Sequence, residues 1–151
     1  MTDRYPELRV DRDVRVVQGD HYHRARLRGW LDGYDGPQAV YRLELLTRQG
    51  TYGGPYTATG PDMFEALVRL RRQLEAEGLS IAVQGSRRDT YPSGMARDMG
   101  GGERVYVLRP GQAARGDDLV DTFAEASLDQ LATVEEQRTF WEAWLKDTDE
   151  A

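Results

Sequence analysis

The chain has 151 residues, of which 39% are hydrophobic and 30% charged, and it carries a formal net charge of −6 with no cysteine. This length suits one folded domain with a single core, and the lack of cysteine excludes disulfides, thiolate metal sites and cysteine nucleophiles. No apolar stretch reaches the roughly 18–20 residues of a membrane span, and residues 1–10 lack the basic and apolar regions of a signal peptide, so we expect a cytoplasmic protein that does not bind membranes.

The N-terminal third of the chain predicts three strands joined by tight turns. Residues 8–17 and 21–31 both alternate between apolar and polar side chains, which is typical of a strand with one exposed face. Gly19 lies in the two-residue connection between them and suits a hairpin turn, because glycine readily adopts positive φ. Residues 38–47 continue the alternation. We therefore predict an antiparallel three-stranded meander.

The hairpin connection also predicts which residues face each other. With 19–20 as the turn, paired residue numbers sum to 39, which places Asp13 opposite Arg26 and Leu8 opposite Leu31. Aspartates across the hairpin then neutralise the arginines of the second strand. Because these arginines are paired and the net charge is negative, we expect no binding of nucleic acid.

A helix is predicted after the meander. Residues 48–60 are turn-like and can extend the meander by one short, irregular strand. Pro61 suits the first helical position and Gly78 suits the position just beyond the last turn, so we predict a helix over 61–77.

The remainder of the chain predicts more strands and a closing helix. Residues 79–84 form a strand whose antiparallel partner we expect at 104–109, and 117–123 can add an edge strand. Thr133 and Glu136 form a capping box that starts the last helix. Together these elements predict an α+β fold, one domain in which a mainly antiparallel sheet of about five or six strands is packed by two helices.

A long polar connection is the best candidate for a binding site. Residues 85–104 are rich in glycine and arginine, and the connection far exceeds the usual median of about 4–6 residues. Three interpretations remain open: an internally paired loop with a short helical turn at 93–99, a protein-binding loop, and a small-molecule site. The candidate binding residues in it are Arg87, Arg88, Tyr91, Ser93, Met95 and Arg97.

The C-terminal quarter carries the net charge of the chain. Residues 111–151 hold eleven acidic and three basic side chains. A field of one sign attracts partners of the opposite sign, so we expect a protein partner with a basic surface. Glu135 and Glu136 already suit a helix N-terminus, where they complement the helix dipole. The acids expected to bind the partner are therefore Asp117, Asp118 and Asp121.

No residue pattern in the chain predicts catalysis. His21 and His23 are the two histidines, and no cysteine accompanies them as a metal ligand. Ser86 and Ser93 do not lie in a nucleophile motif, and the glycines of 85–103 match no phosphate-binding motif. We expect no catalytic residues, no metal and no cofactor, and a binding role rather than an enzymatic one.

Two functions remain open for this chain. The leading hypothesis is a small, cytoplasmic, non-enzymatic module that masks or regulates a partner protein, in the manner of an immunity protein or an antitoxin. The alternative is a small α+β enzyme or ligand-binding domain with an anion-binding pocket at the 85–103 loop. The apolar stripe of the last helix, with Trp141 and Trp144, suits either the core or a homodimer contact.

Overall fold

Five antiparallel strands form the larger of two sheets. The computed structural model of the chain describes residues 4–47 and 55–150. The strands of this sheet are β1 (Glu7–Gln18), β2 (His21–Asp35), β3 (Gln38–Thr47), β4 (Tyr56–Gly60) and β5 (Ser80–Ile81). Their order across the sheet is β4-β3-β2-β1-β5. The predicted meander and its extension by one further strand are therefore confirmed, as is the α+β class.

A second, smaller sheet and three helices complete the fold. The sheet has the order β6-β7-β8, with β6 at Thr90–Tyr91, β7 at Arg104–Val107 and β8 at Leu119–Asp121. The helices are α1 (Met63–Glu75), α2 (Gly94–Asp98) and α3 (Val134–Glu150). Among the described residues, no helix combines the length and the apolarity that crossing a membrane requires.

The predicted pairing of residues 79–84 with 104–109 is wrong. Residues Ser80–Ile81 pair with β1 instead, with Ile81 opposite Val16, and the chain then turns into a 3₁₀ helix at Gln84–Ser86. Before that turn, Val83 forms an isolated antiparallel bridge with Glu125, so this segment does not pair with β7. β7 lies in the smaller sheet between β6 and β8, so the edge strand predicted within 117–123 is confirmed in that sheet.

The hairpin of β1 and β2 follows the predicted register over most of its length. Asp13 lies opposite Arg26, and the sum of 39 holds from Val10 to the turn. Leu8, however, pairs with Trp30 rather than with Leu31, because a bulge between Leu8 and Val10 shifts the register by one. The strand positions near the start of β1 therefore differ from the prediction.

The core lies between the larger sheet and α1. Asp62 caps this helix by accepting a hydrogen bond from the N–H of Glu65 at 2.8 Å, so the helix begins at Met63 rather than at the predicted Pro61. Gly78, with φ of 73°, follows its last turn as expected. The buried core includes Val14, Leu27, Leu43, Leu45, Leu67, Leu70 and Leu74.

The closing helix α3 begins with the predicted capping box. The N–H of Glu136 donates to the Thr133 hydroxyl at 3.1 Å, and the N–H of Thr133 donates to the Glu136 carboxylate at 2.9 Å. The two tryptophans of α3 are half-buried. Trp144 donates through Nε1 to the carbonyl of Gln112 at 2.9 Å, and Trp141 packs on the smaller sheet. Both rings thus serve mainly to hold α3 on the fold.

Candidate functional site

The predicted polar connection at residues 85–103, here called the site loop, is built from short regular elements. It enters through the 3₁₀ turn at Gln84–Ser86, adds β6, and forms α2. Ser93 caps α2, because its hydroxyl accepts a hydrogen bond from the N–H of Ala96 at 3.0 Å. The predicted helical turn at 93–99 is confirmed.

A buried polar pair anchors the first half of the site loop. Arg71 of α1 donates to Gln137 Oε1 of α3 at 2.6 Å. The Gln137 amide nitrogen in turn donates to the carbonyls of Gly85, Arg87 and Thr90 at 2.8, 2.9 and 3.0 Å. Because three backbone carbonyls share one buried donor, this part of the loop has a single defined path.

Two of the predicted arginine anchors are occupied within the fold. Arg87 forms a bidentate pair with Asp89, with both distances at 2.8 Å, and it also donates to Gln84 at 2.9 Å. The guanidinium of Arg97 lies 3.5 Å from Asp62 and stacks 5.0 Å from the centre of the Phe64 ring. These two side chains hold the loop rather than present a free cation.

The other two predicted anchors lie against α3. Tyr91 stacks on Trp141, with ring centres 4.2 Å apart and planes at 12°, and meets Phe64 edge-on at 5.0 Å. Arg88 is exposed, with its guanidinium 5.4 Å from the centre of the Phe140 ring. Tyr91 therefore joins the loop to two helices, while Arg88 remains available at the surface.

A groove of about 800 Å³ lies between β1, α2 and the smaller sheet. Of the predicted binding residues, Ser93, Met95 and Asp121 line it, whereas the arginines and the tyrosine of the site loop do not. Met95 is 71% exposed on its rim, and Met99, which the sequence analysis did not single out, is 82% exposed beside it. Exposed methionines in a groove are unusual, because their side chains are apolar and normally buried.

Charged residues of β1 and the smaller sheet form the walls of this groove. Arg9 donates to Glu103 at 2.6 and 3.2 Å and to Glu7 at 2.6 Å, and these bonds, led by those to Glu103, raise the pKa of Arg9 above its ordinary value. Nη1 of Arg12 lies 4.0 Å from Asp121 Oδ2. This nitrogen is buried, yet it has no hydrogen-bond partner among the described residues.

Sequence reasoning missed Arg9 and Arg12 as groove residues. A signal for Arg12 was present, since it occupies an inward position of β1 between Val10 and Val14, where the strand alternation calls for an apolar side chain. The bulge beside Arg9 changes the direction of the strand and left no comparable signal.

The three predicted acidic residues have different environments. Asp117 is exposed. Asp118 accepts from Nη2 of Arg109 at 3.0 Å and from the N–H of Arg115 at 3.3 Å, so it stabilises its own turn. Asp121 accepts from the N–H of Phe123 at 2.8 Å and lines the groove. The structure therefore leaves only Asp117 of the three without a local role among the described residues.

The described residues contain no group of three or more histidine, cysteine, aspartate or glutamate side chains that could hold a metal ion. His21 is exposed at the hairpin turn, 3.5 Å from Asp20. His23 lies on the inner face of β2 opposite Val16. Comparison with models of protein families and with curated proteins finds no significant match to this chain.

Proposed function

We propose that this chain is a non-enzymatic protein-binding module of the cytoplasm, which masks or regulates a partner protein as an immunity protein or an antitoxin does. The observation that carries the proposal is the pair of exposed methionines, Met95 and Met99, on the rim of the groove. Methionine is flexible and polarisable, and it suits surfaces that adapt to a protein partner. The groove face is the expected centre of the contact.

Electrostatics supports a partner with a basic surface, although only in part. Several acids of the C-terminal quarter already pair with arginines from the rest of the chain, including Glu125 with Arg15 at 3.1 Å and Glu135 with Arg72 at 3.4 Å. These ion pairs weaken the negative electrostatic field of the C-terminal quarter. The net charge of −6 still favours approach of a basic partner.

A small ligand is the second candidate occupant of the groove. Its volume of about 800 Å³ falls within the range of about 300–1,000 Å³ that is typical of ligand pockets. An anion site in the site loop itself has less support, because Arg87 and Arg97 are already bound to Asp89 and Asp62.

In the first test, the partner is isolated by affinity capture on the native protein, and its affinity is compared for two variants of equal charge. A double variant, Met95→Lys with Met99→Lys, should weaken binding of the captured partner by about tenfold or more, as expected when a central apolar contact is lost. The control, Tyr34→Lys with Leu46→Lys, changes two other exposed apolar residues on the larger sheet and should bind normally.

Calorimetric titration of the purified partner measures the two affinities. Equal affinities for both variants would contradict the groove face as the contact. A small molecule released from the native protein on denaturation, with no protein partner recovered, would favour the ligand-binding alternative.

A further inference from the structure

One edge of β1 has no strand beside it along the groove. The N–H of Ala82, just after β5, donates to the carbonyl of Arg15 at 2.9 Å, so the backbone groups of Arg15 point toward β5. Backbone direction alternates along a strand, so Asp13 and Asp11 point to the same edge. Strand β5 ends before it reaches them, and their backbone groups on this edge have no hydrogen-bond partner among the described residues.

The groove adjoins this edge of β1, because residues 9–12 contribute to its lining. Where β5 is present, Ala82 bonds on one side to Arg15 and on the other to the N–H of Ala126, at 3.1 Å. Ala82 therefore links β1 to the segment at Ala126. Beyond the point where β5 ends, the groove is lined by residues 9–12 of β1 and by Asp121 and Phe123.

The side chains around this space favour an occupant that is largely apolar and carries one acid. Val10 and Phe123 provide buried apolar walls, and the two rim methionines are exposed above them. Arg9 is already paired with Glu103. Asp11 is paired with Arg26, which leaves the half-exposed side chain of Arg12 and the exposed Arg104 against the carboxylate of Asp121, 4.0 Å from Arg12.

We propose that an extended segment of the partner protein binds by adding a strand to the free edge of β1, in line with β5. Its backbone pairs with Asp11 and Asp13, alternate apolar side chains enter the groove, and one carboxylate accepts hydrogen bonds from Arg12. The free stretch from Arg9 to Asp13 accommodates about four residues. This inference rests on the proposed function, because it assumes a protein partner.

The experiment uses a phage library of random peptides of about 12 residues, selected on the intact protein. The most enriched peptide is then synthesised, and its affinity is measured by fluorescence anisotropy for three proteins: the natural chain, Asp11→Pro and Asp11→Ala. Proline removes the N–H on the free edge and leaves the β1–β2 ladder in place, since Asp11 does not bond to β2. Alanine removes the same carboxylate but keeps the N–H.

Strand addition predicts that Asp11→Pro weakens peptide binding by about tenfold or more, while Asp11→Ala stays within about twofold. Selected peptides should show apolar residues at every second position and one acidic residue. In the natural protein, bound peptide should slow amide exchange of Asp11 by about tenfold or more, a readout that does not depend on the folding of the proline variant.

Unchanged exchange of the Asp11 amide in the peptide complex would overturn the inference. A protein partner that binds Asp11→Pro as well as the natural chain would also overturn it, while upholding the proposed function. If the free protein is a dimer and Asp11→Pro is a monomer, a second copy of the chain occupies the edge. That result would overturn the assignment of the edge to a segment of a partner protein. A peptide that binds as predicted when no protein partner is recovered would uphold the strand site and count against the proposed function alone.

Discussion

Arg71 shows how a single residue determines the path of the site loop. It is 3% exposed, and it donates to Gln137 Oε1 at 2.6 Å and to the carbonyl of Ala132 at 2.8 Å. Burial lowers the pKa of Arg71 to about 10, which still leaves the guanidinium charged at neutral pH. A buried charge is tolerated here because neutral oxygen acceptors surround it on several sides.

Replacement of Arg71 by leucine should lower the free energy of unfolding by about 2–4 kcal/mol, since it leaves the buried oxygens of Gln137 and Ala132 without a donor. The control is Arg72→Leu, the neighbouring arginine, which is about half exposed and should cost less than about 1 kcal/mol. Urea unfolding followed by circular dichroism measures both variants. Equal losses in the two would show that Arg71 does not anchor the loop.

Pairing with aspartates of β1 also explains why Arg26 and Arg28 of β2 are not free cations. Arg26 donates to Asp11 at 2.7 Å and to Asp13 at 3.1 Å, and Arg28 lies 3.4 Å from Asp11. The hydrogen bond from Arg26 is the main reason that the pKa of Asp11 lies below its ordinary value. The absence of nucleic-acid binding remains a prediction, and this pairing is its physical basis.

At the scale of single elements, the capping box of α3 predicts a dependence on pH. The backbone hydrogen bond from Thr133 is the main cause that lowers the pKa of Glu136. A lowered pKa means that Glu136 stabilises the fold above the ordinary glutamate value of about 4.3, and that this contribution is lost as pH falls through the lower value of the folded state.

Glu136→Ala should therefore destabilise the protein at neutral pH, by less than about 1 kcal/mol because the side chain is nearly fully solvated, and the loss should be smaller at about pH 3. Thr133→Ala serves as the control, because its hydroxyl does not titrate and most of its loss of about 1 kcal/mol, which comes from the cap bond to the N–H of Glu136, should persist at both values. Urea unfolding at the two pH values provides the comparison. A loss in Glu136→Ala that is independent of pH would contradict the assignment.

Elements that are adjacent in sequence were predictable, and distant pairings were not. The meander and the hairpin register follow from alternation and a two-residue turn, both of which are local signals. The smaller sheet joins β6, β7 and β8 across long connections, and no local pattern reports which distant strands will meet. The bulge that moves Leu8 opposite Trp30 carries no glycine to indicate it.

The candidate site was predictable to a similar degree. The length of the site loop drew attention to Ser93 and Met95, and the structure places both in the lining of the groove. Composition alone did not show that Arg87 and Arg97 are paired, because Asp89 and Asp62 reach them only through the tertiary fold or a local bend. The opposite wall of the groove belongs to β1, more than eighty residues earlier in the chain.

For the whole molecule, polar links join the two sheets across the groove and beside it. Arg9 pairs with Glu103, which directly precedes β7 of the smaller sheet. Arg15 donates to the carbonyl of Ala126 at 2.8 Å. Arg15 also pairs with Glu125 at 3.1 Å, and each such ion pair removes one charge of each sign. The charge that remains to act at long range is therefore the net charge of −6, with Asp117 and Asp121 among its exposed acids.

Association with a basic partner should accordingly be steered by these exposed acids. The double variant Asp117→Asn with Asp121→Asn changes the net charge by two units and keeps the side-chain oxygen that caps Phe123, so the fold should be preserved. The matched variant, Asp20→Asn with Asp35→Asn, makes the same change at two exposed turns of the larger sheet.

Steering predicts a several-fold slower association rate for the first variant at low salt and a smaller effect for the second. Stopped-flow mixing with the captured partner from about 20 to 500 mM salt measures these rates, and the difference should vanish as the Debye length falls below about 8 Å. An association rate that is the same across this range of salt would show that the acids only keep the protein in solution and do not guide the partner to the groove.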